Sequence, residues 1–356
     1  MKKLFLLLGI ILSISLNAQN FEIITAGSIS DAKKMTKAYL EPLEHGLGVS
    51  GNAGNINFTK SKRKIHFNLG ISIAGALTPT SDRTYDINEL DLEEIIASDP
   101  NNTIAQTIAG EHKEIEIESK STYYKPSLSY PFYHEVPIVE LETPQGAGVP
   151  VTPYPIVFAG LYGYGTHINV KFLPNISPST NAELYFFGLN IQHNLDEFIP
   201  KTKEWPVQLA VSVGYEYSHL QYKLNISADE GKTGVVIGPD NGPYDNQKII
   251  LNITSIPIQL VAYHDFSGFT LYGGIGYNLT TSDFALNGNY PVYVSDPTDF
   301  FKLNVTDISD PYSYSRKFND FRLDFGLNYQ IGFMKFMASY SLSKYQVFHM
   351  GLGVTI

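Results

Sequence analysis

The side chains in this chain that could carry chemistry are few and scattered. Gly48-Val-Ser50-Gly-Asn approaches the G-x-S-x-G turn that presents a serine nucleophile, but its final glycine is missing. The histidines stand singly, with no H-E-x-x-H and no pair at zinc-ligand spacing. The stretch from Thr78 to Pro150 holds fourteen acidic residues against four basic ones, enough to account for the formal charge of −10 of the whole chain. It lacks the D-x-[DN]-x-[DN]-G spacing that wraps a calcium ion, so it reads as a solvated acidic face. No catalytic residue, no metal site, no cofactor and no enzyme is expected. What remains is a set of charged residues on alternate positions: Lys64, His66, Lys171, Glu216, Arg322, Asp324 and Lys335.

The elements that carry these residues alternate oily and wet. From Phe321 to Phe333 the odd positions are Phe321, Leu323, Phe325, Leu327, Tyr329, Ile331 and Phe333, and the even ones include Arg322, Asp324, Asn328 and Gln330. Such a period of two is a strand with one apolar face. The pattern recurs over Met334 to Leu342, Phe348 to Ile356 and Lys64 to Leu77, and further strands are expected at Pro155–Tyr162, Thr166–Leu173, Ala182–His193, Val207–Ile226, Lys248–His264 and Phe269–Leu286. In Lys248–His264 the apolar phase changes near Ser255-Ile256-Pro257, which predicts a β-bulge. The expected fold is all-β, a transmembrane antiparallel β-barrel of about 10–12 strands, the higher count if Glu114–Tyr124 joins the wall. Aromatic and aliphatic residues would face lipid, and the charged set, with His66, His167, His193 and His349, would face the lumen or rim. A secreted β-sandwich also alternates, but its strands average about 5–6 residues, whereas membrane strands need about 9–11.

Lys2 and Lys3 precede an apolar run from Leu4 to Leu16 and a polar Asn17-Ala18-Gln19, which reads as a secretory signal peptide over residues 1–18. With no cysteine, a lipid-anchored lipoprotein and any disulfide or thiolate site are excluded. The negative charge argues against nucleic acid as a partner. The expected partners are outer-membrane lipid and, during insertion, the barrel assembly machinery.

Residues 19–60 read as an N-terminal helix and plug. Ser28 to Leu43 has helical periodicity, Pro42 and Gly46 are expected to end it, and Gly46–Asn57 reads as irregular backbone or a short strand within the lumen. The plug residues singled out are Lys33, Lys34, Lys37, Tyr39, Asn52 and Asn55, with the three lysines expected to pair with inward carboxylates such as Asp324 or Glu216. The barrel then covers residues 61–356. Short turns and long loops alternate so that 78–150, 228–247 and 287–318 share one end, the extracellular one, if the first wall strand starts near Lys64.

Three stretches carry a resemblance: Tyr39-Leu-Glu-Pro-Leu with Gly46-Leu-Gly-Val-Ser-Gly-Asn-Ala-Gly54, Gly165-Thr-His-Ile-Asn-Val-Lys-Phe-Leu-Pro174, and Gly188-Leu-Asn-Ile-Gln-His-Asn-Leu-Asp-Glu-Phe-Ile-Pro200. They resemble an outer-membrane family of Gram-negative bacteria catalogued as a domain of unknown function. A weaker similarity is to the long-chain fatty-acid and hydrocarbon transporters, whose N-terminal segment forms a hatch, although the Asn-Pro-Ala of that hatch is absent from Gly54-Asn-Ile-Asn-Phe58. The expected function is a plugged, porin-like passive channel or uptake protein for a small hydrophobic solute. The alternative is a structural or surface-interaction barrel with a closed lumen.

Overall fold

The computed structural model describes residues 28–56, 65–126, 133–195, 205, 207–227, 242–266, 268–296, 298 and 303–356. The signal-peptide span, Lys64 and residues 19–27 and 57–60 of the plug segment lie outside them. Ten antiparallel strands close into a barrel: β1 (Ile65–Leu77), β2 (Val151–Gly163), β3 (Thr166–Ser179), β4 (Ala182–Asn194), β5 (Gln208–Lys223), β6 (Lys248–Asp265), β7 (Phe269–Asn287), β8 (Tyr312–Ile331), β9 (Met334–Leu342) and β10 (Gln346–Thr355). Closure is made by β1 on β10, from Asn68↔Thr355 to Leu77↔Gln346. Closure matters because every backbone group in a membrane-spanning wall must be paired within the protein. This is the architecture of an outer-membrane barrel, preceded by one N-terminal helix. Among the described residues no helix is long and apolar enough to cross a membrane.

All three long insertions leave from one end of the barrel, together with the short β3–β4 and β9–β10 connections, while the β2–β3, β6–β7 and β8–β9 turns close the other. The β2–β3 turn shows why: Tyr164 and Gly165 have φ of 50° and 72°. That is the two-residue type I′ geometry whose twist matches the strands it joins.

The longer strands change polarity part-way along without changing pleat. On β8 the outward residues near the turn end are Phe321, Phe325, Leu327, Tyr329 and Ile331, all exposed, but nearer the loop end they become Ser313, Ser315, Lys317 and Asn319. Inward positions invert in step, from Arg322, Asp324 and Asn328 to Tyr312, Tyr314 and Phe318. β7 does the same, with Asn278, Thr280 and Ser282 giving way to Phe284 and Leu286. The expected bulge in β6 is corrected by this. Register runs unbroken from Lys248↔Asn287 to Asp265↔Thr270, and Ile249, Leu251 and Ile253 face inward while Ile256, Ile258 and Leu260 face outward on one continuous strand. The apolar phase changed because the strand leaves the lipid, not because it slipped. Pro257 fits without a slip because Gly214 lies beside it, where a Cβ would approach Pro257 Cγ to 2.9 Å.

For the same reason β8 begins at Tyr312 and not at Phe321. The wall has ten strands because Glu116–Ser119 and Thr122–Pro126 pair outside it, in small sheets at the loop end. Within that insertion the acidic run from Asp86 to Glu94 forms one 3-10 turn, Ile87–Leu90. His193 is corrected as well: it shares the outward parity of Phe187 and Ile191 and pairs with Thr166 at 2.8 Å.

Helix α1 (Ile29–Ser50) runs inside the barrel, capped by Ser28, whose side chain accepts from the Asp31 amide at 3.2 Å. It continues past Pro42 and Gly46, contrary to the expected stop. A proline costs a helix one N–H and a clash in open solvent, but here the surrounding wall over-determines the backbone. Gly46 and Gly48 are helical because the wall comes so near. A Cβ on either would meet Thr152 Oγ1 at 2.3 Å or Thr280 Cγ2 at 2.5 Å.

Candidate functional site

The lumen and its helix form the site with the most buried polar chemistry. From Pro42 to Ser50 all nine consecutive residues are buried. Nine residues make about two and a half turns, so at that level the wall covers the helix on every side. Toward the loop end the insertion packs on the helix. Ile108 N donates to Tyr39 O at 3.0 Å, Tyr39 OH donates to Gln145 O at 3.0 Å, and Asp31 accepts the amides of Glu93, Glu94 and Ile95 at 2.9, 2.7 and 2.9 Å. Burial alone would raise the Asp31 pKa, but those amides and the Ser28 hydroxyl outweigh it and hold the carboxyl below its ordinary value.

Lys171 and Glu216 meet at 2.6 Å although they stand on strands two apart. The residue between them in the same row is Gly188, opposite Lys171 on one side and Glu216 on the other. A Cβ there would lie 1.8 Å from Glu216 Oε2, so the glycine leaves the lane open for the ion pair. Lys171 Nζ also donates to the carbonyl oxygens of Gly51 and Ala53, where the helix ends. The helix has no basic residue in its last turn. A cation from the wall therefore sits at the negative end of its dipole.

Arg322 and Asp324 form a second buried pair, with Arg322 Nε 2.9 Å from Asp324 Oδ1. Gln259 Nε2 donates to Asp324 at 2.8 Å and Arg322 Nη2 donates to Ser341 at 2.8 Å. Gly276 lies opposite both Gln259 and Arg322 and again leaves space between them. These carboxylates are already neutralised within the wall.

That is why the helix lysines do not reach them. Lys34 Nζ donates to Asp91 O, Lys37 Nζ lies 5.2 Å over the Tyr314 ring, and Lys33 is half-buried nearer the loop end. The contacts that tie helix to wall have the opposite sign. Arg316 Nη1 pairs with Glu41 at 3.0 Å and its Nη2 donates to Lys37 O at 2.7 Å, while Tyr314 OH donates to Glu44 at 2.6 Å. His45 Nε2 and Asp320 Oδ2 lie 2.7 Å apart, with the imidazole between Phe318 and Tyr345 at centroid distances of 4.6 and 4.2 Å. Among the described residues no serine or threonine hydroxyl bonds that imidazole, so the pair anchors and does not activate a nucleophile. Lys344 bridges to Asp82 at 2.7 Å and joins the insertion to the same belt. Glu41, Glu44, His45, Arg316 and Asp320 were not singled out from sequence. Continuing the even-position face of Arg322 and Asp324 back past Phe321 would have found the wall members.

Toward the turn end the lumen is polar. His66, His167 and His349 are buried on the inward face, and Asn52 Nδ2 donates to Gly48 O at 3.1 Å and to Ser255 at 3.3 Å. Gly54, with φ of 70°, lets the chain turn against His349, whose Nε2 would lie 2.8 Å from a Cβ. The carboxamides of Asn55 and Asn328 are buried and, among the described residues, meet no hydrogen-bond partner, and the same holds for the carboxamide oxygens of Asn169 and Asn278. Lys335 is buried within electrostatic reach of Asp265 and lines a cleft of about 170 Å³ with Phe269, Thr270, Asn328 and Gln330. Among the described residues no group of three His, Asp or Glu could hold a metal ion.

Comparison with known proteins gives a family and no activity. A family model described as a family of unknown function, DUF6588, matches residues 1–356, so the chain belongs to that family. No curated protein matches it at a significant level. Among solved structures it is similar to the attachment invasion locus protein Ail of Yersinia pestis in complex with the heparin analogue sucrose octasulfate, at 9% identity and a TM-score of 0.27 over 82% of this chain and 99% of that one. The outer-membrane transporter YddB of Escherichia coli gives 11% and 0.30 over 80% and 41%. The translocator domain of the autotransporter NalP of Neisseria meningitidis gives 11% and 0.26 over 90% and 96%.

Proposed function

We propose that this family member is an outer-membrane protein, with its three long insertions outside the cell, that takes up a small hydrophobic solute through a lumen sealed at rest by helix α1. What supports the seal is the run of nine buried residues from Pro42 to Ser50, which fills the bore. What supports uptake is the lining. Above the Lys171–Glu216 and Arg322–Asp324 pairs the interior around the helix is largely apolar, with Phe186, Leu251, Ile253 and Phe284, and below them it is lined by the buried carboxamides of Asn68, Asn169, Gln192 and Asn328.

The native protein should show baseline conductance in planar bilayers, and deleting residues 20–57 should raise conductance and uptake of small solutes while the barrel keeps its heat-modifiable migration on gels. A folded barrel with unchanged conductance after the deletion would favour the second reading, a closed barrel that displays its acidic insertion to a partner. The docking of that insertion onto Asp31 and Tyr39 is the observation on its side.

A further inference from the structure

The wall is not fully zipped between β2 and β3. Their ladder runs from Gly163↔Thr166 to Val157↔Phe172 and stops, although β2 continues to Val151 and β3 to Ser179. The cause is covalent. In a two-residue hairpin the flanking residues exchange both backbone bonds, and alternate residues up each strand do the same. Thr78 N donates to Pro150 O at 2.9 Å, which sends even residues of β2 toward β1 and odd ones toward β3. The rung after Val157↔Phe172 would join Pro155 to Pro174, and neither has an N–H to give. The rung beyond it meets Pro153. β3 then bends away, with register shifts against β4 between Leu173 and Ile176 and again before Ser179.

The depth of this seam can be estimated. A strand tilted about 40° climbs roughly 2.5 Å per residue, so from the turn at Gly163 the ladder ends about 15 Å up and the prolines reach about 25 Å, inside the outer half of an apolar band about 25 Å tall. No residue of 151–157 or 173–179 is charged. Directly behind the seam are Leu173, Ile156 and Tyr154, the last stacked on Phe186 at 4.2 Å, all buried. Helix α1 backs them, with Ser50 Oγ donating to Thr152 O at 3.4 Å.

We propose that this seam is a lateral gate through which a hydrocarbon chain passes between the outer leaflet and the apolar interior, with helix α1 as its shutter. Edges made of proline cannot accept an added strand, which leaves lipid-soluble chains as the occupant that fits. The gate deepens the uptake reading by naming the route and the class of solute, and it is tested separately from conductance.

The test uses the full-length protein in phosphatidylcholine vesicles with palmitate carrying a diazirine on its chain, and in a parallel arm the same chain esterified to a phospholipid. Light should give adducts at inward-facing Tyr154, Leu173 and Phe186 as well as at outward-facing Val157 and Phe172. Adducts from free palmitate alone mark a solute gate, and adducts from both mark a gate open to membrane lipid. Pro155→Val with Pro174→Val restores both donors. Hydrogen exchange should show those two amides protected, and inner adducts should fall roughly tenfold, as two added backbone hydrogen bonds allow. Inner adducts undiminished in a variant with protected amides would overturn the proposal. If that variant does not fold, the native pattern decides, because adducts confined to Val157 and Phe172 would overturn the gate and leave the sealed-barrel reading standing.

Discussion

The turn-end and loop-end halves of the barrel are made of the same strands with opposite polarity. On β8, Phe325 and Leu327 face out and Asp324 and Asn328 face in, whereas ten residues earlier Ser315 and Lys317 face out and Tyr314 and Phe318 face in. The pleat is continuous, so the strand itself has no preferred oily side. Each face takes the character of what it touches: lipid and polar lumen in one half, water and the apolar side of helix and insertion in the other. The barrel therefore has two cores of different kind. One is ionic and amide-rich beneath the helix, the other aromatic and aliphatic around it.

The comparison can be broken at several points, and unfolding of the protein in vesicles by urea is the common readout. Lys171→Met should cost about 3–5 kcal/mol, because Glu216 is left buried and uncompensated, and adding Glu216→Leu should recover most of the loss. Phe284→Ala, inward in the upper half, should cost about 3–5 kcal/mol, while Asn278→Ala, inward in the lower half, removes a carboxamide whose oxygen has no partner and should cost less than about 1 kcal/mol. Similar losses at both would erase the distinction between the cores. On the outer face, Phe325→Arg should cost about 2–4 kcal/mol and Ser315→Arg less than about 0.5 kcal/mol. If the order reversed, the lipid boundary would be drawn at the wrong level.

A smaller loss than those at Lys171, Phe284 and Phe325 is expected where insertion meets helix. The Asp31 carboxyl is held below its ordinary pKa, so its contribution is complete at neutral pH and is lost as pH falls through that lowered value. Exchange protection of the Glu93, Glu94 and Ile95 amides should survive mild acid and drop only below about pH 4, the unfolded carboxyl range. Asp31→Asn should remove that pH dependence and cost about 1–2 kcal/mol.

Period-two alternation determined the barrel, its strands and the inward parity of His66, Lys171, Glu216, Arg322, Asp324 and Lys335, because a pleated chain has only two faces and lipid tolerates one kind of side chain on its own. Turn and loop lengths determined that the three insertions share an end. Pairing across the bore lay beyond the sequence. Gly188 separates Lys171 from Glu216 only when β3, β4 and β5 stand side by side, and two prolines nineteen positions apart, Pro155 and Pro174, become one missing rung only in the register of β2 with β3. The helix could not be bounded locally either. Pro42, Gly46 and Gly48 are stop signals in water, and they continue the helix here because the wall encloses it and leaves no room for side chains at the glycines. Local propensity is read from neighbours in the chain, whereas these contacts join residues more than a hundred positions apart, so the closed barrel alone decided them.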